Sequence, residues 1–442
     1  MNSSNSKITG EIKISPSALK KLQKKAINIP SFKGIIEAYL GKRATDLAEI
    51  LLGGGVLLEA SDIHIEPEEE RAKLRLRIDG ILQDVLFFDW KIYETLLSRV
   101  KLLAGLKLNI ADRPQDGRFS ILIISAKEKK KESIEIRASS LPTEHGESIV
   151  LRILNPKSLI TIEALGLRKD LLEFFKKEIK QPNGMIIVTG PTGSGKTTTL
   201  YAFLKEIQKP EIKIITIEDP IEYHLTGISQ TQVNPAKKYD FASGLRSIVR
   251  QDPDVILVGE IRDLETAQIA LQAALTGHLV LTTLHTNDAA GTIARLQALG
   301  EKPVNIAPAI NLAIAQRLVR KICQECKRLS VISPVNFKKI KEELKNIPKS
   351  INLPALRPGL KIPQIKGCSA CNFTGYRGRV GIFEAFLVND KMEKFILSSP
   401  SIAALRKYAT EEGMLTMKHD GLIKVLQGIT TIEEVERVAG TE

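Results

Sequence analysis

The sequence predicts an α/β protein with a parallel central sheet, preceded by a smaller α+β domain and interrupted by a cysteine-containing insert. From residue 185 onward, apolar β-type runs alternate with helical stretches, which is typical of a parallel sheet covered by helices. Residues 36–157 instead combine a helix with alternating strands and charge-rich hairpins, and this pattern predicts the α+β domain. Four cysteines, all between residues 323 and 371, mark the insert.

Length and composition agree with a globular protein of several domains. The chain has 442 residues, of which 43% are apolar, 26% charged and 5% aromatic, and a prior of roughly 150 residues per domain allows about three domains. The polar N-terminus lacks the apolar core of a secretory signal, and no stretch approaches the ~18 apolar residues of a membrane span. We therefore expect a soluble, cytoplasmic protein.

The positive charge is confined to two segments. Lys and Arg outnumber Asp and Glu by 64 to 51, a net charge of +13, which would ordinarily indicate a nucleic-acid or anionic-membrane partner. Residues 1–30 carry six lysines against one glutamate, and residues 321–380 carry thirteen basic residues against three glutamates, so the rest of the chain sums to −2. The sequence thus describes a near-neutral body with two basic attachments.

Residues 1–35 are predicted to form a basic leader. Ser15-Pro16 has the form of an N-cap followed by proline at the first helical position, and Leu19 and Leu22 share one face of the helix that would follow. A basic amphipathic helix and a solvated leader both fit this segment.

The α+β domain is assigned to residues 36–157. It is expected to hold a helix over 36–60 and a strand over 73–79, with a hairpin tip over 126–133. Asn155-Pro156 indicates the linker that follows it.

The larger domain is assigned to residues 158–442. It is expected to begin with an amphipathic helix near 168–180 and to end in helices over 390–442, with the insert at 321–380. Its apolar strands each end in polar residues, and in open α/β sheets ligands bind at the carboxyl ends of the strands.

The cysteines pair as two CxxC knuckles, Cys323 with Cys326 and Cys368 with Cys371. Each knuckle can offer two thiolates to one tetrahedral ion, so the pattern favours a structural Zn²⁺ site. A redox pair is the alternative, but two copies without a further cysteine favour zinc. A closed four-cysteine site leaves no open position for catalysis.

A phosphate-binding loop follows the first strand of the larger domain. Residues 185–189 form an apolar strand, residues 190–197 match the pattern GxxxxGK[ST], and a helix-forming stretch comes next. Such a loop turns backbone N–H groups toward phosphate, Lys196 would reach the β- and γ-phosphates, and Thr197 would hold Mg²⁺. The predicted nucleotide-binding residues are Gly190, Pro191, Thr192, Gly193, Ser194, Gly195, Lys196, Thr197 and Thr198.

Two further strands end in acids. Residues 254–260 read DVILVGE, the form of a Walker B strand, and Glu260 is predicted to polarise the attacking water and to contact Mg²⁺ through water. Glu218, Asp219 and Glu222 cluster after another strand, where Mg²⁺ or an arginine would relieve their repulsion. A solvated acidic turn is the alternative for these three acids.

Histidines and arginines complete the candidates. His285 follows an apolar strand and is predicted to sense the γ-phosphate, whereas His278 precedes that strand and fits a functional or a structural role equally. The arginine candidates could neutralise γ-phosphate charge from a neighbouring domain or subunit, or simply form surface ion pairs. They are Arg137, Arg152, Arg246 and Arg250.

Several long motifs in one order resemble the secretion ATPase superfamily, and within it the GspE/PilB branch of type II secretion and type IV pilus assembly ATPases. Four of them resemble its Walker A, Asp box, Walker B and His box, namely GPTGSGKTTTLY (190–201), ITIEDPIEY (215–223), LRSIVRQDPDVILVGEIRD (245–263) and TGHLVLTTLHTNDA (276–289). The branch is indicated by the tetracysteine insert together with ASDIHIEP (60–67), RLRIDG (75–80) and RPQDGR (113–118).

The resemblance implies a PAS-like domain followed by a RecA-like P-loop ATPase domain. It also implies a homohexameric ring in which ATP is held between the two domains and contacted by a neighbouring subunit. It implies Glu260 as the catalytic glutamate, Glu218 and Asp219 near the metal, and the four arginines as phosphate-sensing and interface residues. The partner would be an inner-membrane platform protein of the GspF/PilC type, with peripheral attachment at the inner face of the cytoplasmic membrane. Family members commonly carry a further N-terminal docking domain, in whose place this sequence has about 35 residues, so leader and insert are expected to supply the contact.

Three other functions fit the sequence less well. A pilus retraction ATPase is a weaker match, since that branch typically lacks the tetracysteine insert and the ASDIHIEP element. A nucleic-acid motor would be stimulated by DNA, but the excess charge lies outside the core and no aromatic stacking stripe is visible, so nucleic acid is an unlikely partner. A non-hydrolysing scaffold would have no need of both Lys196 and Glu260.

Overall fold

The computed structural model describes residues 10–124, 131–156, 159–348, 351, 353 and 356–440. Over these residues the chain folds into two compact units. Unit 1 comprises residues up to 158 together with two short segments, 323–326 and 365–377, and unit 2 comprises the rest. The expected hairpin tip at 126–133 lies mostly outside the described residues.

Unit 1 is a seven-stranded sheet with helices packed on it. The strand order is β1-β5-β6-β7-β2-β3-β4, in which β1 pairs with β5 in parallel and every other pairing is antiparallel. Its elements are β1 Gly10–Ile14, α1 Pro16–Lys25, α2 Ile29–Glu37, α3 Ala44–Leu57, β2 Asp62–Pro67, β3 Arg71–Ile78, β4 Ile81–Asp89, α4 Trp90–Ala104, β5 Gln115–Ile124, β6 Lys131–Thr143 and β7 Gly146–Leu154.

The leader does not stand apart from this unit. Ser15 caps α1 through its side chain, as predicted, but Leu22 and Phe32 are fully buried in the same core as the sheet. Strand β1 adds a parallel edge to β5. The expected boundary at residue 35 is therefore wrong for residues 10–35, because their apolar face completes the core of unit 1.

The helix expected over 36–60 is shorter in the structure: α3 covers Ala44–Leu57, and α2, which begins at Ile29, ends at Glu37. Within α3, a Cβ on Gly54 would lie 2.0 Å from the Phe32 ring, and one on Gly53 would lie 2.9 Å from Leu22. Glycines here allow α1 and α2 to approach α3 closely, which local periodicity does not reveal.

Unit 2 contains the predicted parallel sheet. Its seven strands have the order β10-β9-β11-β12-β8-β13-β16, and the five pairings from β10 to β13 are parallel. Its elements up to β13 are α5 Lys169–Glu178, β8 Gly184–Thr189, α6 Lys196–Ile207, β9 Ile214–Glu218, β10 Ser229–Gln232, α7 Phe241–Val249, β11 Val255–Val258, α8 Leu264–Leu275, β12 Leu279–Leu284, α9 Gly291–Leu299, α10 Pro303–Ile306 and β13 Ile310–Ile322.

The insert and the C-terminal helices follow β13. The insert contributes a small antiparallel pair, β14 with β15, and one helix. The remaining elements are β14 Arg328–Val331, α11 Pro334–Glu343, β15 Lys361–Gln364, β16 Tyr376–Leu387, α12 Asp390–Leu397, α13 Ile402–Glu411, α14 Met417–Leu426 and α15 Ile432–Ala439. Among the described helices, none combines the length and the apolar character needed to cross a bilayer.

The cysteine knuckles belong to unit 1, although the sequence placed the whole insert in the larger domain. The segments 323–326 and 365–377 pack with unit 1, while the stretch between them packs with unit 2. This differs from the expected domain plan because the second knuckle hydrogen-bonds to the leader, through Asn372 and Ile29.

Candidate functional site

The phosphate-binding loop has the predicted strand, loop and helix context. Strand β8 ends at Thr189, and α6 begins at Lys196. Gly190, Gly193 and Gly195 have φ values of +143°, +78° and +91°, a backbone region in which side chains are disfavoured. A Cβ on Gly190 would also lie 2.4 Å from the carbonyl oxygen of Gln316. Both the backbone angle and this close approach therefore require glycine at position 190.

Lys196 curls over this loop. Its Nζ donates to the carbonyl oxygens of Gly190 at 2.8 Å and Pro191 at 3.1 Å. Burial lowers the pKa of Lys196, and the charge of Glu260 opposes that shift. Ser194 in the same loop is buried, and its hydroxyl has no hydrogen-bond partner among the described residues. The loop thus holds one buried hydroxyl without a partner among the described residues and an ammonium group bonded only to the loop's own carbonyls.

Glu260 and His285 meet beside the loop. Glu260 lies two residues beyond β11, and His285 directly follows the neighbouring strand β12. His285 Nε2 lies 3.5 Å from Glu260 Oε2, and Arg262 forms an ion pair with the other carboxylate oxygen, Oε1. The predicted pair therefore converges at the carboxyl ends of adjacent parallel strands.

The surroundings of His285 shift its pKa downward. Partial burial lowers its pKa, the positive charges of Lys196 and Arg262 add to the shift, and Glu260 opposes it. The backbone beside it is held by Thr189, whose buried Oγ1 accepts from the Thr286 N–H at 2.8 Å and donates to the Leu284 carbonyl at 3.0 Å. The end of β8 thus positions the segment that carries His285.

Glu218 has a different environment from Asp219. The Glu218 carboxylate is buried and accepts from the hydroxyl of Tyr201, from Thr216 Oγ1 at 2.6 Å and from Gln230 Nε2 at 3.2 Å. Burial raises its pKa, although these donors oppose the shift. Asp219 is exposed. The predicted place of both acids near a metal stays a prediction.

Two of the candidate arginines lie in a cross-strand row of unit 1. Arg137 faces Arg152 across β6 and β7, and Asp62 on β2 faces Arg152. The row continues through Arg118 on one side and Arg77 on the other. Asp62 Oδ1 lies 2.9 Å from Arg152 Nε. Four arginines and one aspartate therefore share one row of the sheet.

The other two arginines lie on and just after α7 in unit 2. Arg246 forms an ion pair with Glu265, and Arg250 contacts the Ser247 hydroxyl at 3.4 Å. Both line a groove of about 520 Å³ beside α8. Within the described part of unit 2, neither arginine forms a hydrogen bond or ion pair with Lys196, Glu260 or His285.

His278 has a local contact. Its Nδ1 lies 3.0 Å from the Ala273 carbonyl oxygen near the end of α8, which is a capping position. This geometry fits the structural alternative.

Sequence reasoning missed four residues that build the site. Arg262 stands two residues after Glu260, and this short spacing could have indicated it. The other three carry no sequence signal, because each meets a partner that is distant in sequence. Thr189 bonds to Thr286, 97 residues away, and Tyr201 to Glu218, 17 residues away. Gln316 bonds to Thr199, 117 residues away.

The four cysteines form one compact cluster. Their sulfurs all lie within 4.8 Å of one another, with Cys323 to Cys368 and Cys326 to Cys371 each at 3.9 Å. Zn–S bonds of about 2.3 Å place tetrahedral sulfurs roughly 3.8 Å apart, so the four sulfurs fit one Zn²⁺ ion.

Backbone donors prepare part of this cluster for thiolate ligands. The N–H groups of Cys368 and Gly375 donate to Cys371 Sγ at 3.2 and 3.3 Å, and they hold its pKa below the ordinary value even though burial acts the other way. Burial raises the pKa of Cys326 to about 12. Such a thiol ionises when a metal supplies the compensating charge.

Comparison with known proteins gives a consistent picture. Residues 46–437 match the family described as "Type II/IV secretion system protein". The "Type II secretion system ATPase E" of Vibrio cholerae is 43% identical over 93% of this chain and 78% of the relative. The "Type IV pilus assembly ATPase PilB" of Thermus thermophilus is 45% identical over 86% of this chain and 41% of the relative.

Solved structures share the fold. The pilus retraction motor PilT with bound ADP is 26% identical, with a TM-score of 0.57 over 89% of this chain and 95% of its own. The Legionella pneumophila ATPase DotB is 22% identical, with a TM-score of 0.63 over 89% of this chain and 95% of its own.

Proposed function

The chain belongs to the type II/IV secretion system protein family, in its GspE/PilB group, and is an ATP-hydrolysing enzyme; from this premise we propose that it is a homohexameric motor of pilus or pseudopilus assembly. In this proposal unit 2 is the RecA-like ATPase domain and unit 1 the PAS-like domain. The observation that carries the proposed site is the convergence of Lys196, Glu260 and His285 at the carboxyl ends of neighbouring strands.

The site residues divide the work of hydrolysis. Lys196 would exchange the carbonyls of Gly190 and Pro191 for phosphate oxygens, and Thr197, in the first turn of α6, would hold Mg²⁺. When bound, Mg²⁺ neutralises charge that develops on the phosphates. Glu260 orients the attacking water, and His285, whose Nε2 lies 3.5 Å from Glu260 Oε2, positions that carboxylate.

The positions of the four arginine candidates are consistent with the proposed ring-shaped homohexamer. ATP hydrolysis is accelerated when a guanidinium from a neighbouring domain or subunit reaches the γ-phosphate. The row containing Arg137 and Arg152 places four guanidinium groups beside two carboxylates, Asp62 within the row and Glu135 next to it. Arg246 and Arg250 line a groove that a neighbouring subunit would cover. Both sets suit charge stabilisation across a subunit boundary.

The client is an assembly machine. Relatives 40–45% identical to this chain carry the names of type II secretion ATPases and a pilus assembly ATPase, and the tetracysteine cluster holds Zn²⁺ as a structural ion. The motor acts through an inner-membrane platform protein of the GspF/PilC type and associates peripherally with the inner face of the cytoplasmic membrane. The two basic segments supply the charge for that association.

The decisive experiment replaces Glu260 by Gln. ATP binding, followed with a fluorescent analogue, should stay near the parent value, while phosphate release should fall at least about 100-fold. Glu173→Gln on the exposed side of α5 is the matched control and should hydrolyse ATP normally. Normal hydrolysis by the Glu260 variant would overturn the catalytic assignment.

A further inference from the structure

One hydrogen bond joins the two basic segments that the sequence keeps apart. The Ile29 N–H, at the first turn of α2, donates to Asn372 Oδ1 at 2.6 Å, across 343 residues of sequence. Ile29 belongs to the lysine-rich leader, and Asn372 directly follows the last cysteine of the second knuckle. Both lie in unit 1.

Asn372 completes the start of α2. The Asn28 side chain accepts from the Ser31 N–H at 2.9 Å, Ser31 Oγ accepts from the Asn28 N–H at 3.1 Å, and Pro30 has no N–H. The Ile29 N–H is therefore the remaining donor of this turn, and a buried helix end requires a partner for it. The knuckle provides that partner.

The knuckle geometry depends on the cysteines. Asn372 and Phe373 both have left-handed backbone angles, with φ of +51° and +61°, and asparagine tolerates this region better than most residues. The Phe373 N–H donates to the Cys368 carbonyl at 2.9 Å, and the Cys368 N–H donates to the sulfur of Cys371. An ion that holds both sulfurs thus also holds Asn372 in place.

Exposed apolar side chains flank the hydrogen bond on both sides. Ile27, two residues before Ile29, is 62% exposed, and Phe373, next to Asn372, is 61% exposed. Ile365 is 46% exposed and packs beside Gly375 of the same knuckle. Such exposure of large apolar residues at one place indicates an interaction surface.

Exposed lysines lie close in sequence to these apolar residues. Lys24 and Lys25 end α1, and Lys366 precedes the second knuckle; all three are exposed. Among the described residues, no carboxylate oxygen lies within 4.0 Å of their ammonium groups. A Zn²⁺ ion with four thiolates contributes −2, but α1 alone carries four lysines and no acid, so the surface stays positive.

We propose that Ile27, Phe373, Ile365, Lys24, Lys25 and Lys366 form one docking surface, the knuckle surface, which binds an anionic lipid bilayer and is assembled by the metal at the four cysteines. The inference rests on the proposed peripheral membrane association and names its surface. Apolar tips ringed by lysines suit a bilayer, where the tips reach the acyl boundary and the ammonium groups meet anionic headgroups.

The test measures binding of the full-length, zinc-loaded chain to vesicles. Phosphatidylcholine vesicles with phosphatidylglycerol should bind it, those without should not, and added salt should weaken binding. Lys24→Ser with Lys25→Ser should lower the affinity about 30-fold, at roughly fivefold per lysine. Phe373→Asp should lower it at least about tenfold. The matched control is Leu329→Asp, an equally exposed leucine (58%) on β14 of the basic insert, which should bind normally.

Metal dependence is tested on the same vesicles and by amide hydrogen exchange. Chelation should reduce vesicle binding and speed exchange of the Ile29 amide. Asn372→Gly, which keeps the left-handed backbone but removes the acceptor, should speed that exchange about fivefold, whereas Asn372→Asp should preserve protection. Unchanged exchange in the Gly variant would overturn the role of the knuckle.

The outcomes separate this inference from the proposed function. If the chain does not bind anionic vesicles, or if only Leu329→Asp abolishes binding, the knuckle surface is not the lipid contact. If the proposed platform protein alone recruits the chain, with no binding to lipid, the inference is overturned while the proposed motor function stands. Loss of ATP hydrolysis in Glu260→Gln is independent of either result.

Discussion

His285 and Glu260 are brought within 3.5 Å of each other, Nε2 to Oε2, although 25 residues separate them in sequence. They follow β12 and β11, which pair in parallel, so both strands deliver their polar ends to the same edge of the sheet. This contact connects the proposed catalytic carboxylate to the strand beside the phosphate-binding loop.

Replacement of His285 by Asn should leave ATP binding intact and lower kcat about 100-fold, because a positioned hydrogen-bonding group beside Glu260 is lost. Phosphate release at saturating ATP measures this. His278→Asn, at the opposite end of β12, is the matched control: its ring contacts a helix carbonyl, so kcat should be unchanged. Equal losses in both variants would argue against a specific role for His285.

Thr189→Val should destabilise unit 2 by about 1–3 kcal/mol, since the half-buried Thr286 N–H would lose its acceptor. Thr282→Val is the matched control on the neighbouring strand, because the Thr282 hydroxyl is fully buried and unpartnered among the described residues. That change should be neutral or stabilising. Urea unfolding of the two variants measures the difference, and equal stabilities would contradict the proposed role of Thr189.

Unit 1 should lose stability on acidification through His64. Burial holds the pKa of His64 below its ordinary 6.5, with Asp62 and Glu66 opposing the shift. The unfolded chain takes up a proton near pH 6.5 and the folded chain does so at lower pH, so the free energy of unfolding falls as the pH drops through 6.5.

Thermal melting of the parent and of His64→Asn checks this expectation. The stability of the parent relative to the variant should be greatest above about pH 7 and should shrink toward pH 5.5. The exposed His145 offers the control, because its replacement should leave the melting temperature unchanged at each pH. A constant difference between the parent and the His64 variant would contradict the prediction.

Each chain should carry one zinc ion. Cobalt substituted for zinc should give the absorption of a tetrahedral thiolate site, and Cys371→Ser should abolish it while lowering the melting temperature of unit 1. Ser369→Ala, an exposed residue of the same knuckle, should bind metal normally. Metal analysis by mass spectrometry checks the stoichiometry, and a metal-free chain with full stability would contradict a structural site.

Local patterns predicted the parts of the fold that depend on neighbouring residues. The strand–loop–helix order at residues 184–207 and the strand ending near Glu260 match the prediction, because glycines, β-branched runs and terminal acids act within a few residues. Phosphate binding by the loop stays a prediction. Of the two alternatives left open for the segment after Ser15, the structure has the capped helix, and its cap is a local feature.

Distant packing was not predictable in this way. The leader reads as a separate attachment because its lysines are visible in sequence, whereas the contact of Phe32 with Gly54 is not. The sequence assigned the knuckles to the larger domain because residues of that domain precede and follow them in the chain. Thr189 and Tyr201 could not be recognised, since a threonine or tyrosine carries no sign of the partner it meets across the sheet.

The sequence by itself determined the α/β class, the strand–loop–helix context of the predicted nucleotide-binding loop, the cysteine pairs and the location of the excess charge, because each depends on residue types at short spacing. Only the tertiary structure decided that the two basic segments meet at Ile29 and Asn372, that the knuckles pack with unit 1, and that Arg137 and Arg152 share a row with Asp62. Those relationships depend on strand register and on burial of apolar faces, which are set by the whole folded chain rather than by any one segment.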